Sequence, residues 1–248
     1  MKNEDLHTFL LEQLKSVENH LKDLAKDADI EHLHHLRVNI KKIRAVLSFI
    51  TGVYAEKFES GGLKILFKKA GKVRELQINI DVIHSLPDIP EAVIAKWMKT
   101  EKRKLRDFIK RIPEYRRLVK RFRKKSFLSY PFPNEIITVS YIRELSIKAM
   151  RRFNSRQRAD MHRFRKLIRK LMFLYELLPA KNQGVFGIDI KRINQLQKEV
   201  GAWHDTYSAI AFIRKRKFDH QSGCISILIA READQFEKLI VSYTNLRI

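Results

Sequence analysis

A single cysteine, Cys224, occurs in the sequence. It has no partner for an intrachain disulfide, which fits a cytoplasmic setting, and it reads as a small buried residue. Glycine and proline are scarce as well, eight and six in 248 residues, few for an all-β chain with many turns. No stretch approaches the roughly 18 uninterrupted apolar residues of a spanning helix, so no membrane span is predicted. The opening MKNEDLHTFLLEQL carries Glu4 and Asp5 and lacks a long apolar run; it does not read as a secretory signal. Acidic residues are outnumbered, 28 against 51 Lys plus Arg, leaving a formal net charge of +23. Such an excess opposes the compact state by self-repulsion, so a polyanionic partner is expected: nucleic acid, a polyphosphate or an anionic membrane surface. With 44% hydrophobic residues the chain can still build a core.

What is present is helical periodicity. Leu6, Leu10, Leu14, Val17, Leu21 and Leu24 recur at three-four spacing and predict a first helix from about Asn3 to Lys26. Leu33, Leu36, Ile40, Ile43, Leu47 and Ile50 predict a second, ending near Thr51-Gly52. Further helices are expected from Ser60 to Leu86, from Pro90 to a break at Pro113, and over the basic Glu114 to Lys125. Pro131 and Pro133 mark a boundary, after which helices are expected over Asn134–Phe153, Arg156–Leu178, Ile188–Arg216 and Phe218–Tyr243. Strict period-two alternation is absent, so the fold class is all-α. The expected domains are two helical bundles, residues 1–128 and 129–248.

A column of cations borders the apolar stripe of the second helix. His34, Arg37, Lys41 and Arg44 repeat the stripe's spacing one position later, with Lys42 beside them. His162, Arg165, Arg169 and Lys170 repeat His34, Arg37, Lys41 and Lys42, each 128 positions further on. A second repeat follows one helix later: Gly71, Arg74 and Glu75 against Gly201, His204 and Asp205. Two motifs in the same order at nearly one offset indicate an internal duplication.

These residues resemble the signatures of the CHAD family, the conserved histidine α-helical domain. The His-x-x-Arg motif with following basic residues is met by His34, Arg37, Lys41, Lys42 and Arg44, and again by His162, Arg165, Arg169 and Lys170. Met172 stands where the second copy would carry another cation. The Gly-x-x-Arg-Asp and Gly-x-x-His-Asp motifs are approximated by Gly71-x-x-Arg74-Glu75 and Gly201-x-x-His204-Asp205. The basic segment around Arg116 and Arg117 is similar to a family segment closing the first half. The resemblance implies two four-helix bundles related by a pseudo-two-fold axis, a basic cleft or pore between them that binds inorganic polyphosphate, and association with polyphosphate granules. A phosphate-handling enzyme is a third reading; with no Gly-rich phosphate loop, no nucleophile motif and no carboxylate cluster for a metal in the sequence, no enzyme activity and no cofactor are expected.

The chemistry of the columns suits such a ligand. Polyphosphate has closely spaced charges and no bases to read. Arg offers a planar fork for two phosphate oxygens and Lys a point charge, and helical spacing sets such residues about 5–6 Å apart at Cβ. Arg37, Lys41, Arg44, Arg165 and Arg169 are the first choices; Lys42, Lys170 and Arg74 flank them, and Arg158 extends the second column by one turn. His34 and His162 either donate N–H to phosphate or are buried histidines bonded to an acid or a carbonyl; their place in a repeated cationic column favours the ligand role. Glu75, His204 and Asp205 are expected to be interhelical ties. His32, His34 and His35 are too close on one helix to face one metal, so no metal is expected. Arg116 and Arg117 belong to the dense basic run Lys102–Lys125, either a solvated face or an extension of the anion surface. RNA or DNA binding is the rival reading; it calls for stacking aromatics beside the cations, and Trp97, Trp203 and most Phe residues fall on apolar stripes instead.

Overall fold

The computed structural model describes residues 3–55, 60–87, 89–125, 133–178, 189–216 and 221–244. Among them are nine α-helices and no strand: α1 (Asn3–Asp27), α2 (Glu31–Tyr54), α3 (Gly61–His84), α4 (Glu91–Lys110), α5 (Ile112–Lys125), α6 (Glu135–Asn154), α7 (Arg158–Tyr175), α8 (Ile190–Arg216) and α9 (Gln221–Ser242). Pro131 of the expected boundary lies outside the described residues, as do Pro179 and the Gly184–Gly187 stretch, where turns are expected between helices.

The helix ends follow from local chemistry. Asp29, Asn134 and Asp189 each accept a backbone N–H with a side-chain oxygen at the start of α2, α6 and α8, replacing partners that a first turn lacks. Pro113 sits in the first turn of α5, where its missing N–H costs nothing, and it separates α5 from α4. Pro90 lies one residue ahead of α4, and its carbonyl accepts from Val93 and Ile94.

Two boundaries differ from expectation. The helix α2 does not stop at Thr51-Gly52 but continues to Tyr54, where Ala55 takes the left-handed conformation at φ 57°. Gly52 is instead a packing residue: a Cβ there would lie 2.5 Å from the Tyr141 ring. The helix α7 begins at Arg158, not Arg156, because Arg156 is left-handed at φ 51° and Ser155 closes the turn by accepting from the Gln157 N–H.

The chain forms two compact units that do not follow chain order. One comprises Met1–Arg74, Lys102–Glu144 and Lys170–Asn182; the other Glu75–Glu101, Leu145–Arg169 and Gln183–Ile248. Four helices, α3, α4, α6 and α7, therefore contribute to both, while the halves 1–128 and 129–248 describe the repeat in sequence. In the first unit α1 packs along α2 and against α5. All six residues of the α1 stripe are buried, as are all six of the α2 stripe. Burial of Ala45, Val46 and Phe49 widens the α2 stripe toward its C-terminal end. The second unit has α8 packed on α9, and its core gathers Leu76, Ile80, Ile83, Ile94, Trp97, Ile213 and Leu228. Cys224 is buried in that core. Burying each such aliphatic side chain stabilises by about 1.5–3 kcal/mol relative to exposure, which explains why the strictly periodic stripes dictate the elements. No helix among the described residues is long and apolar enough to cross a membrane.

Candidate functional site: two cationic clusters

In the first unit the cations of α2 are held against α3. The Arg37 guanidinium lies over the Phe67 ring, 4.1 Å from its centroid, and donates from Nη1 to the Phe67 carbonyl at 2.8 Å. Arg44, one helical repeat further along the same face, approaches the same ring at 5.3 Å. Phe67 thus gathers two of the predicted arginines by their attraction to its π-face. Gly71 makes the arrangement possible, since a Cβ there would fall 2.4 Å from Arg37 Nη1. The first two sequence signatures are therefore two halves of one contact: the arginine of α2 needs the glycine of α3.

His34 is half-buried beside this group. Burial pushes its proton affinity below the ordinary value of 6.5, and Arg74 next to it acts the same way, with smaller contributions from His35 and Lys41; only Glu31 opposes them. Arg74 donates to Glu31 at 2.6 Å. Lys41 is half-buried on α2. Lys42 and Lys170 have protein partners: Lys42 pairs with Glu176 at 3.1 Å, and Lys170 donates to Ser48 Oγ at 2.8 Å and to the Tyr141 hydroxyl. Arg116 and Arg117 are on α5, half-buried and exposed respectively, on the helix that Arg123 ties to Glu18 of α1.

In the second unit His162 and His204 stack with ring centroids 4.9 Å apart. The affinity of His162 for a proton is pushed down to a pKa of about 4, first by burial and then by Lys166, His204 and Arg165. Arg165 is lowered too, by burial, with Asp205 pulling in the opposite direction. Asp205 therefore balances Arg165 in part, while its carboxylate is 3.6 Å from His204 Nδ1, beyond hydrogen-bond reach. Arg165 Nε and His204 Nδ1 are both buried with no hydrogen-bond partner. Gly201 lies beneath this cluster as Gly71 lies beneath the first, but more loosely: a Cβ would be 3.9 Å from Arg165 Nη2. Arg169 is half-buried on α7.

Arg158 is placed differently from a free member of the column. Its Nε donates to both oxygens of the buried Glu232, at 2.8 and 3.1 Å, and Glu232 also accepts from the Trp203 indole at 2.6 Å. Its charge is matched within the protein. Met172, at the position where the second signature carries a cation, is buried in the core.

Sequence reasoning missed Phe67 as the platform for Arg37 and Arg44, and Lys166 beside His162. Lys166 had a visible signal, lying four residues after His162 on the same helix face; Phe67 had none, because its partners are on another helix. Among the described residues neither His34 nor His162 belongs to a group of three metal-ligating side chains.

Comparison with known proteins agrees with the signatures. The family model of the CHAD domain matches residues 8–214. The crystal structure of the CHAD domain from the plant Ricinus communis is similar in fold, with a TM-score of 0.79 at 17% sequence identity, covering 99% of this chain and 92% of that one. No curated protein matches. With its paired histidine and glycine signatures, its all-α architecture and a family match over most of its length, the chain belongs to the CHAD domain family.

Proposed function

We propose that the chain binds inorganic polyphosphate through the cationic clusters of its two units and carries out no reaction on it. The observation that carries this reading is Arg165 Nε, a buried donor with no hydrogen-bond partner, beside the stacked rings of His162 and His204. A buried donor left without an acceptor costs about 1–3 kcal/mol, and phosphate oxygens are acceptors only. Burial is the main cause of the lowered proton affinities of His34 and His162; the smaller part, due to Arg74 and Lys41 and to Lys166 and Arg165, is what an entering anion would relieve. The net charge of +23 suits a long polyanion better than a single small anion. Association with polyphosphate granules follows from the same affinity.

The weight falls on His34, Arg37, Lys41, Arg44 and Arg74 in the first unit and on His162, Arg165, Arg169 and His204 in the second. Arg158, Lys42 and Lys170 have protein partners and are expected to contribute less.

The test is retention of long-chain polyphosphate by the purified protein. The Arg37→Glu/Arg165→Glu double variant is expected to lose binding while keeping its helical circular dichroism. Arg44→Glu, at an exposed position, is expected to weaken binding with no effect on the fold, and Lys99→Gln, exposed on α4, to leave it unchanged. Full retention by the folded double variant refutes the site. Competition separates the ligands: polyphosphate displaces RNA, whereas the reverse order of preference at equal charge makes nucleic acid the partner.

A further inference from the structure

The turn between α1 and α2 carries a second constellation, made of residues outside the family signatures. His20 and Asp23 lie three apart on α1, and His32 lies in the first turn of α2. One ligand atom from each falls within 4.8 Å of the others. We propose that His20, Asp23 and His32 bind a divalent transition-metal ion of the zinc class.

The distance between the rings fits. His20 Nδ1 and His32 Nδ1 face each other at 3.3 Å. Two imidazole nitrogens at about 2.0–2.1 Å from a tetrahedral zinc are themselves about 3.3 Å apart. The tautomer fits as well. The Asp27 carboxylate can only accept, so His32 Nε2, 3.0 Å away, carries the proton and leaves Nδ1 with its lone pair turned toward His20. Asp27 is itself fixed, because its other oxygen accepts from the Asp29 N–H at 2.9 Å. This is the carboxylate–histidine arrangement that orients metal ligands elsewhere.

The surroundings hold the site in shape and in charge. The His35 ring stacks on His20, with centroids 5.3 Å apart and planes 19° from parallel. In a chain of net charge +23, the segment from Asp23 to Glu31 gathers Asp23, Asp27, Asp29 and Glu31, an anionic island suited to a cation. Two imidazoles and one carboxylate favour zinc over calcium or magnesium, which prefer all-oxygen sets. An ion held between the two rings would join α1 to α2.

The experiment uses the full chain without a histidine tag, stripped with chelator, and zinc chloride alone as the probe, with no polyphosphate present. One zinc per chain is expected by competition against a chromophoric chelator, with a raised melting temperature. Cobalt(II) is expected to give the intense visible bands of tetrahedral coordination. His20→Ala and His32→Ala should each weaken zinc binding at least tenfold with helical circular dichroism preserved, and Asp27→Asn about tenfold or more; His84→Ala, an exposed histidine on α3, should change nothing. No zinc uptake, uptake unaffected by His20→Ala and His32→Ala, or only the weak bands of octahedral cobalt in the unaltered chain overturns the proposal. The cobalt spectrum decides the matter even if a variant fails to fold.

Discussion

Arg37 lies across α3 at Gly71, its Nη1 where a β-carbon would come within 2.4 Å, whereas the equivalent pair, Arg165 and Gly201, leaves 3.9 Å. Alanine at the two glycines should therefore act differently. Gly71→Ala displaces the flexible end of an arginine: about 0.5–1 kcal/mol of helix propensity is gained, against an arginine–carbonyl bond of about 1.5–3 kcal/mol, so a net loss of about 1 kcal/mol is expected. What suffers is the placement of Arg37, read as weaker polyphosphate retention. Gly201→Ala meets ordinary contact and should stabilise by about 0.5–1 kcal/mol with retention unchanged. Urea midpoints together with binding isotherms for the two variants check this pair of outcomes.

The histidines make stability depend on pH in one direction. Unfolded, His162 takes a proton near 6.5; folded, it stays neutral down to about 4. Between those values the unfolded chain holds more protons, so stability rises with pH through this window and is lost as pH falls from about 6.5 to about 4. Below about 4 this group causes no further loss. His34, also lowered, acts in the same sense. His162→Gln should flatten the profile, measured as the urea midpoint at steps between pH 7.5 and pH 4.

Polyphosphate should reverse that proton balance. An anion beside His162 favours its charged form, so the complex holds more protons than the free protein between about pH 4 and the raised value in the complex. Affinity then strengthens as pH falls through that interval. Proton uptake on binding, obtained by calorimetry in two buffers of different ionisation enthalpy, measures it, and His162→Gln should reduce the uptake.

Salt gives an independent check on the nature of the contact. Several Lys and Arg side chains displacing counterions should make log affinity fall linearly with log salt, by about tenfold or more between 50 and 200 mM. Arg44→Gln should reduce the slope by roughly one. An affinity that ignores salt rules out binding through the columns.

Glu232 is the buried acceptor for both Arg158 and the Trp203 indole. Removing it leaves a buried N–H without a partner, so Glu232→Ala should destabilise by about 2–3 kcal/mol. Glu232→Gln, whose amide oxygen still accepts from the indole, should cost less. Chemical denaturation of both variants decides.

Most of the secondary structure was legible because Leu6 to Leu24 and Leu33 to Ile50 keep strict three-four spacing, and burial of one face rewards that spacing directly. The misplaced boundaries lie where a single backbone conformation decides: Ala55 and Arg156 are left-handed without being glycine, and neither residue type advertises it. Within the site, the cations of α2 and α7 could be read from their own helices. Their partners could not. Glu232 is 74 positions from Arg158 and Glu176 is 134 from Lys42, and nothing local links such pairs. His20 escaped notice for the same reason: three of the nearby histidines fall on α2, and the one that meets His32 comes from α1.

The interleaving of the two units constrains how the protein is made. The first unit includes Lys170–Asn182 and the second begins at Glu75, so a ribosome-bound chain ending at residue 128 lacks a segment that each unit needs. The first unit is complete in sequence only at Asn182, and the second only once α9 has been added. The basic helices α2 and α5 therefore precede by a long stretch of chain the segment Lys170–Asn182 that completes their unit.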